Sequence, residues 1–88
     1  LHTGRYCELA GEAQADELRR LADAAALAAK NGIEVHAGHG LTVDNVAPIA
    51  AIPQLRELNI GHSLIADALF VGMGEAVRRM RAAMDAAR

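Results

Sequence analysis

Apolar and polar positions alternate along this chain in two rhythms, and the switch between them separates helices from strands. Leu18, Leu21, Ala25 and Ala28 recur at steps of three and four, which stacks them on one helical face. Glu17, Arg20 and Asp23 fall on other faces. The run is dense in Ala, Leu, Glu and Arg, so the spacing predicts a helix over 12–31. Asn31-Gly32 then offers the left-handed cap that stops it.

The period changes to two over 33–37, Ile-Glu-Val-His-Ala, which reads as a short strand ending in Gly38-His39-Gly40. Asn45 is placed to cap a helix through Ile52, with Pro48 tolerated in its first turn and Pro53 closing it. A second strand is expected over 57–60, again ending in Gly-His, at Gly61-His62. Ser63 is placed to cap a helix over 64–71. After Gly72 and Gly74 a last helix runs from Glu75, with Ala76, Met80, Ala83 and Ala87 on one stripe and Val77 and Met84 beside it. Arg78, Arg79 and Arg81 lie on its solvated flank.

Strands alternating with helices, joined by short connections, imply an α/β fold with a parallel sheet. The chain opens at Leu1 without an initiator Met, and Leu1-His2-Thr3-Gly4 reads as a strand end running into a loop. Residues 1–88 are therefore expected to form a single partial domain. Part of a (β/α)8 barrel and part of an open doubly wound sheet both fit the order.

Composition narrows the function classes. Apolar residues make up 52% and charged residues 23%, the balance of a packed domain. A net charge of −2 gives no electrostatic footprint for nucleic acid or anionic lipid. One Tyr, one Phe and no Trp leave little surface for stacking bases. Cys7 is alone, so no internal disulfide forms. No apolar run is long enough to span a bilayer, and a cytoplasmic location is expected.

The chemistry concentrates in two Gly-His motifs at strand ends, where barrel enzymes keep their active sites. His39, between two glycines, is placed for acid–base work near neutral pH; the plainer alternative is a loop histidine tied to a backbone carbonyl. Gly61 and His62, at the opening of a helix, are placed to receive a phosphate on free backbone amides. Thr3, Gly4 and Arg5 are expected near the same mouth. His36 reads as structural. His2, Cys7, His36 and His39 make a poor ligand set, because strand alternation aims His36 and His39 apart, and no metal site is expected.

Leu1-His2-Thr3-Gly4, His36-Ala37-Gly38-His39-Gly40-Leu41-Thr42, Asn45-Val46, Ile49-Ala50-Ala51-Ile52-Pro53 and Glu57-Leu58-Asn59-Ile60-Gly61-His62, in this order and spacing, resemble the pyridoxine 5′-phosphate synthases. The resemblance covers essentially the whole chain. It implies the C-terminal part of a (β/α)8 TIM barrel, strands 6–8 with their helices. It also implies condensation of 3-amino-2-oxopropyl phosphate with 1-deoxy-D-xylulose 5-phosphate, giving pyridoxine 5′-phosphate, phosphate and water, without metal or organic cofactor. Carried over by motif, His39 is the proton donor, and Gly40, Gly61 and His62 contact the amino-ketone phosphate. The family forms homo-octamers. It commonly has Asn at His36, and often aromatic and His residues at Val43 and Asp44. Its other catalytic histidine, its catalytic glutamate and its pentulose-phosphate residues precede the stretch beginning at Leu1, so residues 1–88 alone are expected to be inactive. Other phosphate-binding barrels (an aldolase, an epimerase, thiamine phosphate synthase) and a non-catalytic half-barrel assembly module are the alternatives.

Overall fold

A computed structural model describes all 88 residues. Two strands, β1 (Val35–Gly38) and β2 (Leu55–Asn59), pair in parallel with His36 opposite Glu57 and Gly38 opposite Asn59. The chain start joins the same sheet. His2 forms a parallel bridge to Gly38, the Thr3 N–H donates to the Gly38 carbonyl at 2.9 Å, and the Gly38 N–H donates to the Leu1 carbonyl at 3.1 Å. Three neighbouring strand ends therefore point the same way, which is the parallel arrangement that the alternation of elements predicts.

Five helices complete the chain: α1 (Gly4–Glu8), α2 (Gly11–Lys30), α3 (Val46–Ala50), α4 (His62–Val71) and α5 (Met73–Ala86). The periodic stripe of α2 packs as expected, with Leu21 and Ala25 buried and Leu18 and Ala28 against the core. Its end is a full Schellman closure. Gly32 takes φ +77°, its N–H donates to Ala29 at 3.0 Å, and the Ile33 N–H donates to Ala28 at 3.0 Å. In α5, Ala76 and Met80 are buried, while Arg78, Arg79 and Arg81 stay exposed and pair with Glu75 or Asp85.

Four local expectations are corrected. The segment after the first strand end is not a loop but α1, which buries Tyr6 and lets its hydroxyl donate to the Asn45 carbonyl at 2.8 Å. Glu17 is not on a solvated face. It lies four residues before Leu21, hence on the edge of the apolar stripe, and is buried with Arg20 donating to it at 3.0 Å. Asn45 sits at the α3 N-cap position without capping it: its amide oxygen accepts from the Thr42 N–H at 2.8 Å, closing the preceding loop. Ser63 lies inside α4, which begins at His62, and bonds elsewhere. The last arginine is also more than surface charge, because Arg88 donates to the carbonyls of Ala50, Ile52 and Leu55 at 2.7–3.0 Å and locks the chain end to the entrance of β2.

The buried core lies between the sheet and the faces of α2, α3 and α5, built on Leu21, Val35, Ile49, Leu55 and Met80. No helix is long and apolar enough to cross a membrane. The opposite face of the sheet is open, and it carries the polar strand residues.

Candidate active site at the paired strand ends

Strand alternation turns Val35 and Ala37 into the core and leaves His36 and Gly38 on the open face. There the His36 Nδ1 lies 3.0 Å from Glu57 Oε2, a half-exposed pair that bridges β1 to β2. Beyond it, at the C-terminal ends of the strands, an open cavity of about 820 Å³ is bounded by His39 and Gly40 on one side and by Gly61 and His62 on the other. All four residues singled out from the sequence therefore meet at one mouth. His2, His36, Asn59 and Ser63 line it too.

The loop that presents His39 is held under constraint. His39 has φ +96°, a region that L side chains rarely adopt and that persists only where the surroundings over-determine it. Those surroundings are visible. The fully buried Thr3 donates its hydroxyl to the His39 carbonyl at 2.6 Å, and the Cys7 thiol reaches the same oxygen at 3.6 Å. The next residue, Gly40, has φ +77°, and a Cβ there would stand 3.1 Å from the Cys7 side chain. The His39 ring lies stacked on the His2 ring, with centroids 4.4 Å apart and an interplanar angle of 25°. The plainer expectation of a loop imidazole tied to a carbonyl does not describe it.

At the second strand end, α4 opens at His62 with no side chain capping it. Its first backbone bond runs from the Ile65 N–H to the Gly61 carbonyl, so the amides of Gly61, His62 and Ser63, three residues that line the mouth, have no helical partners. Anions are stabilised at such an end by these amides and by the helix dipole. Ser63 ties this end to the first loop by donating to the Leu41 carbonyl at 2.7 Å.

Expectations about the neighbourhood change: Thr3 and Gly4 are buried and support the mouth without lining it. Arg5 does not face the mouth; α1 turns it to the far side, where it lies beside Glu17 and helps Arg20 hold that carboxyl below its ordinary range. His2 contributes to the mouth through its ring, a role the sequence did not disclose. Burial also pushes the Cys7 thiol and the Tyr6 hydroxyl up from their ordinary values. No three His, Cys, Asp or Glu side chains converge as a metal site.

The family model described as "Pyridoxal phosphate biosynthesis protein PdxJ" matches residues 1–86. The chain belongs to this family. The pyridoxine 5′-phosphate synthase of Caulobacter sp. (strain K31) is 59% identical over 92 residues, covering all of this chain and 37% of that protein. That of Cereibacter sphaeroides (strain ATCC 17029 / ATH 2.4.9) is 56% identical over 92 residues, covering 100% of this chain and 36% of the relative. That of Zymomonas mobilis subsp. mobilis is 56% identical over 88 residues, again across the whole chain and 34% of its own length. The chain thus spans little more than a third of the length of the curated relatives it matches. Membership in this family agrees with the resemblance carried by the Gly-His motifs and sets aside the aldolase, epimerase and thiamine phosphate synthase alternatives.

Proposed function

We propose that residues 1–88 supply the last three strand ends of a (β/α)8 barrel that condenses 3-amino-2-oxopropyl phosphate with 1-deoxy-D-xylulose 5-phosphate to pyridoxine 5′-phosphate, phosphate and water. One observation carries this: His39, Gly40, Gly61 and His62 border a single open cavity at the C-terminal ends of adjacent parallel strands. His39 is the proton donor. Its imidazole stands on a constrained loop at the mouth, where a general acid must be held within hydrogen-bond reach of the reacting group.

Gly40, Gly61 and His62 take the phosphate of the amino ketone. The amides opening α4 supply donors, and the dipole of a ten-residue helix favours the anion. The remaining acid–base groups and the pentulose-phosphate contacts belong to the other strands of the barrel. The enzyme works in the cytoplasm as a homo-oligomer, an octamer by the family resemblance, on small phosphorylated substrates and without metal or organic cofactor.

The test is a chimera in which residues 1–88 replace the matching stretch of the Caulobacter sp. relative. It should form pyridoxine 5′-phosphate from the two phosphorylated substrates. His39→Ala should lower kcat by about 100-fold or more while leaving phosphate affinity nearly unchanged. His62→Ala should weaken inorganic phosphate binding. Full turnover by the His39 variant, or unchanged phosphate affinity in the His62 variant, would remove the respective role.

A further inference from the structure

The His39 ring is not held by its own loop. It rests on the residues of the first strand end, which lie more than thirty positions earlier (His39 and His2 are 37 apart by number). Three contacts converge there. The two imidazoles stack with centroids 4.4 Å apart. The Gly4 N–H points at His2 Nδ1 at 3.3 Å, which makes that nitrogen an acceptor and fixes the plane of the His2 ring. Thr3, between them, donates to the His39 carbonyl at 2.6 Å.

The fit beneath the rings is close enough to dictate a residue type. A Cβ on Gly4 would stand 2.5 Å from His2 Cε1 and 2.8 Å from His39 Cδ2. Gly4 is helical and has no positive φ, so its side-chain-free surface is needed for space and not for backbone freedom. The backbone of α1 therefore forms a seat on which both rings rest.

We propose that His2 is a positioning residue for His39: its ring, oriented by the Gly4 N–H and seated against Gly4, fixes the rotamer in which His39 faces the mouth. This rests on the reading of His39 as the acid–base group, and it adds a residue that acts through another rather than on the substrate. An exposed imidazole on a strained loop would otherwise sample several rotamers. A catalytic group displaced by as little as 1 Å costs up to about 100-fold in rate. Stacking fixes the plane of the His39 ring without occupying its nitrogens, so both stay free for proton transfer.

The experiment uses the chimera and four variants: His2→Ala, His2→Phe, His2→Asn and His39→Ala. His2→Ala should lower kcat by about tenfold with KM within about twofold, the split expected when orientation of a reacting group is lost and ground-state binding is kept. His2→Phe keeps a ring to stack and should recover most of the lost kcat. His2→Asn keeps an acceptor for the Gly4 N–H but no ring, and should resemble the Ala variant. Unchanged kcat in His2→Ala overturns the proposal. So does failure of His2→Phe to recover activity, since His2 would then act through its nitrogens. Should the variants not fold, a crystal structure of the unmutated chimera decides, because ring centroids more than about 7 Å apart are out of stacking range and overturn it. His39→Ala separates the two levels: full activity there sinks the functional reading itself, whereas loss there with unchanged His2→Ala sinks only the positioning role.

Discussion

The Ser63 hydroxyl donates to the Leu41 carbonyl across 22 positions of sequence at 2.7 Å, joining the opening turn of α4 to the loop that follows His39. The two halves of the mouth are thereby fixed to one another by a side chain that local pattern assigns to helix capping. Ser63→Ala in the chimera should cost about 1 kcal/mol of stability, the net worth of one such bond. It should also weaken phosphate binding severalfold, because the α4 amides lose their fixed distance to Gly40. Thermal unfolding and phosphate titration check both. Unchanged values in both would show that the loops hold their places without it.

Gly38 is the residue on which strand pairing turns. A Cβ there would lie 2.6 Å from the Asn59 backbone carbonyl oxygen, and backbone cannot swing aside as a flexible side chain does. Gly38→Ala is expected to force β1 and β2 apart and to destabilise the chimera by about 1–3 kcal/mol. It should depress activity as well, since His39 follows directly. Denaturant unfolding with the same slope and an unshifted midpoint would contradict this.

Much of the fold is legible in the sequence because it is local. The α2 stripe, the Asn31-Gly32 stop and the two Gly-His strand ends follow from spacing and backbone freedom alone. What escapes is contact between distant segments. Nothing near Ser63 points to Leu41, and nothing near His2 announces a ring stacked on His39. Glu17 reads as polar and outward until α1 covers the start of α2. Arg88 reads as terminal charge until the end of α5 brings it to the carbonyls of Ala50, Ile52 and Leu55 at the entrance of β2. Glu17 apart, whose partner Arg20 is one helical turn on, each of these polar side chains settles on a partner that periodicity does not reach. That His39, Gly40, Gly61 and His62 meet at one mouth is legible for the opposite reason: each pair ends a strand, and neighbouring parallel strands end side by side.

Cys7 should be a sluggish nucleophile. Burial raises its thiol above the ordinary value of 9.0, so the thiolate fraction at neutral pH is smaller than for a free cysteine. Alkylation by iodoacetamide is expected to run slower than for a free thiol and to accelerate only in alkaline solution. Alkylation at the free-thiol rate near neutrality would count against the packing described. The adduct should also disturb Gly40, whose absent Cβ leaves room for this side chain.

Two carboxylates give stability an acid limit. The Arg20 hydrogen bond holds Glu17, and those of Arg78 and Arg79 hold Glu75, below the ordinary value of 4.5. A group whose folded value is depressed stabilises the fold above its unfolded value and ceases to do so as pH falls through the folded one. Glu17→Gln with Glu75→Gln should thus lower the denaturation midpoint near neutrality. The gap from the parent should close as pH drops below 4.5. A gap that stays constant with pH would mean that packing, not charge, is lost.

The 88-residue chain by itself should self-associate and show no turnover. Helix α4 buries none of its residues, and Ile65, Leu69, Phe70, Met73 and Val77 leave a broad apolar surface around its junction with α5. Apolar patches of this kind drive association when nothing covers them. Absence of turnover is expected for a separate reason: on the function proposed above, His39 and His62 work with a glutamate and a second histidine brought by other strands of the barrel. Sedimentation should report oligomers that shrink when Leu69 and Phe70 are changed to Gln and Ser, with activity absent in both forms. A parent chain that sediments as a monomer would show that this apolar face tolerates solvent. Pyridoxine 5′-phosphate formed by the chain alone would show that its two strand-end histidines suffice.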